Sequence, residues 1–564
     1  MKKLFTGLVL FFTSILVSES FAQEGQLAFP GAEGYGRYAS GGRGGRIVEV
    51  TNLLDLNRAQ RATPGSFRAA LATEGDDPIT IIFRVSGLIN LDTELKSNRS
   101  NMTIAGESAP GDGIAIKGSS VKLSGSNLII RYMRFRPGGD LGTQTTALNI
   151  ENAENFIIDH CSFSWAVEET MGMYDNKYST VQWSIVSEGL YDAGHGKGVR
   201  GYGSQWGGQY ASYHHNLIAH QNSRSPRING SRSNDIIALV DFRNNIIFNW
   251  GSRGAVYGGE SEIFYANPEN PEENIAGSFT NMVNNYYKPG PATQIPLAFA
   301  RPSYESLPDA FKRYSQWYFS GNYMDGITGG MNEDNWLGVN VDQVGSIENI
   351  KTETEFDYAG VETHSAREAF ELVLEKAGAL LPKRDAVDAR IVAETRGELV
   401  PGGKRGTGII DNPSEVGGWP VFAQVDGPID TDKDGIPDAW EVANGLDPNN
   451  PEDGKTITES GYSNLETYLH AILPGTVTSS KQEHAAEDYE VYPNPTSDKI
   501  NFNSSQRILK VELYDLTGKV ILTKQDIGAT QDNYLTIGNL KAGFYIMKAF
   551  FQNGATAERK VIKQ

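Results

Sequence analysis

The chain lacks a second cysteine. Cys161 is the only one among 564 residues, so no intramolecular disulfide can form. An exported protein without disulfides needs another source of stability, such as a long core or bound calcium. Cys161 lies in the apolar run FIIDHCSFSW and reads as a buried small hydrophobe, not a reactive thiol. Long hydrophobic runs are also missing: past the first 22 residues nothing could span a bilayer. Positive charge is in deficit, 50 Lys and Arg against 69 Asp and Glu, a formal net charge of −19. That balance argues against a nucleic-acid partner. It does not exclude an acidic substrate, because a local cluster of Arg, Lys and a divalent cation overrides a global sum.

What is present begins with an export signal. Lys2 and Lys3 precede an apolar run from Leu8 to Val17, and Ser20-Phe21-Ala22 forms a small-residue cleavage site. Residues 1–22 are therefore expected to be a signal peptide, and the mature protein exported and soluble.

From about Asn101 to Tyr287 one unit recurs: a short β-rich run, a turn, another run. Examples are NLIIRYMRF, NFIIDHCSF, STVQWSIV, ASYHHNLIA and ALVDFRNNIIF. One small polar position recurs with it, at Cys161, Ser184, Asn216, Asn245 and Asn285, with spacings of 23, 32, 29 and 40 residues. Each spacing fits one coil of a parallel β-helix with loops lengthening some turns. Stacked Asn side chains that hydrogen-bond between coils would explain a column both polar and buried. A β-sandwich, with strands every 8–12 residues or so, fits the period less well. Pro64-Gly65-Ser66 before FRAALA predicts a helix capping the open end of the solenoid. In SAREAFELVLEKAGALLP, Phe370, Val373, Leu374 and Ala377 recur at helical spacing. That helix should pack on the solenoid's outside or cover its C-terminal end.

DTDKDGIPDAWE places Asp430, Asp432, Asp434, Gly435, Asp438 and Glu441 at positions 1, 3, 5, 6, 9 and 12 of a calcium loop. Oxygen ligands must alternate round a hard cation, and the glycine permits the sharp turn. AWEVANG supplies a short helix ending at Gly445. The loop lies far along the chain from any candidate catalytic group, so its expected role is structural. Residues 474–487 read as a linker. From residue 488 to 564, alternating strands with Gly turns predict a small β-sandwich. The predicted organisation is thus a signal peptide (1–22), a β-helix with a C-terminal extension (23–425), an EF-hand-like calcium-loop segment (426–473), the linker and the terminal sandwich.

The chemistry is concentrated in YHHNLIAHQNSRSPRING, a short strand ending in a loop with Arg224 and Arg227 three residues apart. On spacing alone the pair reads as salt-bridged or surface arginines, because arginine, with a pKa above about 12, is a poor base.

Seven ordered segments alter that reading: AFPGAEGYGRYASGGRGGRIVEVTNL, VSGLINL, NMTIAGESAPGDGIAI, LIIRYMRFRPG, FIIDHCSFSW, GYGSQWGG and YHHNLIAHQNSRSPR. Together, over roughly residues 27–290, they resemble the pectate lyase family, polysaccharide lyase family 1. The tail YPNP…YDLTGK…GFYIMK…KVIKQ resembles the C-terminal sorting domain of the type IX secretion system. The resemblance implies a right-handed parallel β-helix that cleaves a uronate polymer such as polygalacturonate by calcium-assisted β-elimination, with calcium as cofactor. The C5 proton of a uronate becomes acidic only when the neighbouring carboxylate is neutralised, by calcium and cationic side chains.

By the same resemblance Arg224 takes the place of the base, and Arg227 holds a substrate carboxylate. The family's second Arg stands five residues after the base, where this chain has Asn229. Lys197, with His195 nearby, takes the place of a substrate-binding lysine, and Arg200 competes for that role. The family's acidic pair before the IDH coil is missing: Thr145, Thr146 and Ala147 stand there. Glu168 and Glu169 are left as candidate calcium ligands, and neighbours on a strand point to opposite faces. Asp159 and His160 read as structural. The expected partners are an acidic polysaccharide and the type IX secretion machinery, with no nucleic acid and no transmembrane segment. A monomer, secreted or at the cell surface, is expected. The alternatives are a non-catalytic glycan-binding β-helix and a β-helical glycoside hydrolase, which would need two or three carboxylates in its cleft.

Overall fold

The computed structural model describes residues 25–55, 63–231, 237–251, 254–261, 277–294, 297–304, 314–423, 425, 427–472, 489–504, 507–514, 520–525, 533–551 and 556–564. The expected signal peptide and linker lie outside the described residues. The chain forms two compact units, Met1–Thr476 and Val477–Gln564.

The first unit is a right-handed parallel β-helix. Successive coils add one strand to each of three parallel sheets, of ten, nine and eight strands. The ten-stranded sheet runs from Arg46–Val50 to Gln316–Ser320, the nine-stranded from Gly87–Asn90 to Tyr323–Met324, and the eight-stranded from Leu95–Ser97 to Ala300–Pro302. Side chains alternate in and out along each strand, so in-register strands stack like upon like. One inward column reads Ile130, Ile158, Val181, Tyr213, Phe242, Met282 and Phe319, all within the central core.

The polar column forms at one bend. The Cys161 N–H donates to Ser184 Oγ at 3.1 Å and the Ser184 N–H to Asn216 Oδ1 at 2.9 Å. Asn216 donates to Asn245 and Asn245 to Asn285 in the same way, and the ladder continues through Asn322 to Asn335. The residue before each rung in the predicted column (His160, Trp183, His215, Asn244, Asn284) has a positive φ of 48–54°. This left-handed residue turns the corner, and the buried rung satisfies the amides it exposes.

Helix α1 (Phe67–Leu71) is N-capped by Ser66 and buries Phe67, Ala70 and Leu71 in the core at the solenoid's start. Helix α2 (Ala366–Lys376) carries a capping box from Ser365 and Glu368. It packs on the outside, not over the end: Val373 and Leu374 meet the outward Ile185, Leu217 and Ile246 of the nine-stranded sheet. Helix α3 (Ala386–Arg396), unforeseen in the sequence, docks beside it through buried ion pairs of Arg136 with Asp385 and Asp388. Helices α4 (Asp438–Asn444) and α5 (Asn464–Ala471) belong to the same unit. The second unit has antiparallel sheets of three and four strands with their own core around Phe502, Val511 and Met547.

Candidate active site

The eight-stranded sheet carries the arginines. Gly172, Gln205, Arg227, Tyr257 and Arg301 occupy one register position on five successive strands. Their neighbours Trp206, Ile228 and Val256 are core residues, so alternation points Gln205, Arg227 and Tyr257 outward. Here the surface forms a cavity of about 370 Å³ lined by Arg224, Arg227, Tyr257, Glu260, Arg301 and Ser303.

Arg224 enters from the loop before its strand, with a left-handed φ of 62°. Its guanidinium lies over the Tyr202 ring, 4.4 Å from the centroid, and pairs with Glu169. Burial disfavours its charged form and holds it below the usual arginine range, while Tyr257 acts the other way. Arg227 donates to Glu260 Oε1 at 3.0 Å. Burial pushes it down too, but the Glu260 carboxylate prevails and leaves it above the ordinary value. Both arginines thus face the groove with a carboxylate beside them, Glu169 at Arg224 and Glu260 at Arg227.

The adjacent acids part company. Glu169 is buried and accepts from Gln205 Nε2 at 3.1 Å and the Tyr174 hydroxyl at 3.3 Å. Glu168 turns to the loop beyond, pairing with His195, with Arg200 at 3.9 Å. At the Thr145–Ala147 segment, the Thr145 carbonyl accepts the Glu168 backbone N–H at 2.9 Å. Lys197 is exposed, and its backbone N–H donates to His195 Nδ1 at 2.9 Å. Asp159 is enclosed by Arg131 at 2.9 Å, Gln182 at 2.7 Å and His160 at 2.8 Å. His160 stacks between Tyr132 and Trp183, so both serve the coil.

Away from this groove, Asp432, Asp434 and Glu441 converge with Asp453. Asp438 departs from its expected place in the loop. Its carboxylate accepts the Thr431 N–H at 2.7 Å and the Thr431 hydroxyl at 2.6 Å. Asp430 accepts the backbone N–H of Lys433 at 2.8 Å and of Gly435 at 3.1 Å, shaping the turn. Tyr202, Tyr257, Glu260, Arg301 and Asp453 were not foreseen. The one-coil spacing from Arg227 could have pointed to Tyr257 and Glu260; nothing local marks Asp453.

The chain is 32% identical over 460 residues to the probable pectate lyase C of Aspergillus terreus, covering 79% of this chain and 94% of that protein. It is 32% identical over 469 residues to that of Aspergillus flavus, covering 83% and 96%. The chain belongs to the pectate lyase family. It is therefore a polysaccharide lyase. Among solved structures, the chain is similar to the major allergen of cedar pollen, with 17% identity, a TM-score of 0.43 and coverage of 62% of this chain and 92% of that one. It is also similar to a Bacillus pectate lyase in complex with trigalacturonate, with 18% identity, a TM-score of 0.38 and coverage of 61% and 98%. Residues 490–564 match the secretion system C-terminal sorting domain. Among the described residues no helix is long and apolar enough to cross a membrane.

Proposed function

We propose that this lyase cleaves a pectate-like, uronate-containing polysaccharide by β-elimination, with Arg224 as the base. The observation that carries the reading is that Arg224 and Arg227, facing the carboxylates of Glu169 and Glu260 respectively, meet in one groove with Tyr257 and Arg301. Arg227 presents a forked donor suited to a substrate carboxylate. A proton leaves C5 to Arg224, the C–H electron pair becomes the C4–C5 double bond, and the C4–O bond breaks. The glycosidic oxygen departs with the electron pair of that bond and takes a proton from solvent. In the free enzyme the Glu169 carboxylate favours the charged guanidinium, so Arg224 must be released from it before it can accept a proton. A hydrolytic pair is a poorer fit, because Glu169 and Glu260 are both engaged by arginines.

Glu168 and Glu169, the candidate ligands of a catalytic calcium, diverge: Glu169 is engaged by Arg224, Gln205 and Tyr174 and Glu168 by His195, so they would hold one ion together only after leaving these partners. A calcium ion takes six to eight oxygens, so two side chains suffice only when substrate carboxylates complete the sphere. When bound, the ion supplies neutralisation of the substrate carboxylate. His195 orients Glu168, and Lys197 extends from the same loop toward solvent as a contact for a passing chain. The sorting domain supports export through the type IX secretion machinery to the medium or cell surface, and the enzyme acts as a monomer.

The test is ultraviolet absorbance of unsaturated product ends from polygalacturonate, with calcium and with chelator, for the native enzyme and Arg224→Ala. Losing the base should lower kcat by about 10²–10⁴-fold while substrate still binds. A variant with near-native kcat would remove Arg224 from the role. New reducing ends without that absorbance would indicate hydrolysis.

A further inference from the structure

The four-carboxylate cluster lies outside the catalytic groove and takes no part in the reaction described above. Its side chains come from two loops and helix α4, and ligand oxygens of Asp432, Asp434, Glu441 and Asp453 all lie within 4.8 Å of one another. Proximity of acids is not by itself a site; the state of Glu441 is the deciding observation. Its side chain is fully buried at 0% exposure, and neither carboxylate oxygen has a hydrogen-bond partner. Asp434, 1% exposed, keeps Oδ1 on the Ile436 N–H at 2.9 Å but leaves Oδ2 unpartnered. Asp432 Oδ2 and Asp453 Oδ1 are likewise buried and unpartnered. Buried carboxylate oxygens without donors are costly. No Lys, Arg or His among the described residues forms an ion pair with these four acids; Arg84 serves Asp430 and Glu49 instead, each at 3.5 Å.

We propose that Asp432, Asp434, Glu441 and Asp453 bind one calcium ion, which clasps the segment 427–472 to the wall of the β-helix. An all-oxygen set of four carboxylates matches a hard divalent cation. Calcium accepts six to eight oxygens in irregular geometry, whereas magnesium demands a near-ideal octahedron. The twelve-residue loop supplies three of the ligands, and Asp453, from the turn beyond, replaces Asp438. Asp453 is held for this: its Oδ2 accepts the Asp447 N–H at 3.0 Å, and its carbonyl accepts from Asn464 Nδ2 at 2.9 Å. Gly454 follows because a Cβ there would collide with the Asp434 carboxylate.

The clasp acts through Ile436. It follows the ligand Asp434 by two residues and is buried with Leu465 and Leu469 of α5 against Ile82 and Ala105 on the outer face of the ten-stranded sheet. Gly435 packs equally close: a Cβ there would fall 2.9 Å from Ile82 Cδ1. An ion joining the 430–436 loop to Asp453 therefore fixes both sides of this apolar contact.

The experiment uses the full chain, freed of metal by chelator and titrated with calcium without substrate, so it stands apart from the lyase assay. Calcium bound per chain, the thermal midpoint and the rate of proteolysis within 427–472 are measured. The native protein should show a calcium-dependent rise in midpoint and slower cleavage. Asp453→Asn and Glu441→Gln should each bind this ion at least tenfold more weakly and lose both responses, while Asp438→Asn keeps them. Asp453→Asn, at the half-buried rim, serves where Glu441→Gln does not fold, and its lyase rate at saturating calcium should remain native. Undiminished stoichiometry and midpoint shift in Asp453→Asn would overturn the proposal. So would equal loss in Asp438→Asn, or an equal response to magnesium.

Discussion

Asn245→Ala tests whether the polar ladder holds the coils together. Asn245 is 0% exposed. Its Nδ2 donates to the Tyr213 carbonyl at 2.8 Å and Asn285 Oδ1 at 3.1 Å, while its Oδ1 accepts from Asn216 N and Nδ2, both at 3.0 Å. Alanine deletes all four bonds. Asn285 Oδ1 keeps the Asn245 backbone N–H, and Asn216 Nδ2 keeps the Val181 carbonyl. The Asn216 backbone N–H loses its ladder acceptor at a site no water reaches. An orphaned buried group costs about 1–3 kcal/mol, and each other lost bond about 0.5–1.5 kcal/mol. The loss should total about 2.5–7.5 kcal/mol, read as a lower denaturant midpoint at an unchanged slope. Because the Asn216 bend leads into the Arg224 loop, the Asn245 variant should keep its cold lyase rate but lose activity at a lower temperature. A loss below about 1 kcal/mol would refute the ladder as a principal tie.

Leu374→Ala should cost about 2–5 kcal/mol, since this buried side chain joins α2 to the nine-stranded sheet; thermal unfolding of the full chain reads it. Burial raises Asp159, but His160 and Arg131 outweigh it and hold the carboxyl well below the usual range. A depressed carboxylate contributes stability that is full above its unfolded pKa of about 3.9 and is lost as pH falls below that. Asp159→Asn should therefore flatten the acid limb of the stability profile below about pH 4, and an unchanged limb would contradict the assignment. Glu260→Gln frees Arg227 from its carboxylate partner, so KM for polygalacturonate should fall with kcat little changed. A rise in KM would instead show that Arg227 needs Glu260 to position it.

Much of the first unit was legible because a solenoid repeats its contacts. The polar column was readable at Cys161, Ser184, Asn216, Asn245 and Asn285 because each rung meets the same neighbour one coil on. The amphipathic face of α2 was readable from Phe370, Val373 and Leu374, though not which surface it covers. Helix α3 was missed because its docking rests on Asp385 and Asp388, buried against Arg136 some 250 residues earlier in the chain. Asp438 misled because the spacing of a calcium loop says nothing about a competing hydroxyl seven residues back, at Thr431.

The amino-acid sequence alone determined the class of fold, the family, the Arg224–Arg227 pair and three of the four clustered acids. All of these follow from residue types at short or periodic spacing, where local geometry decides what meets. Only the tertiary structure decided that Glu169, 55 residues away, pairs with Arg224, and that Glu260, 33 residues away, pairs with Arg227. It also decided that Arg301 lines the same cavity and that Asp453 closes the acidic cluster. These contacts lie on the outside of the coils, between loops of unequal length. The register column of Gln205, Arg227, Tyr257 and Arg301 repeats from coil to coil, but unequal loops hide its spacing in the sequence and set where Glu169 and Asp453 meet their partners.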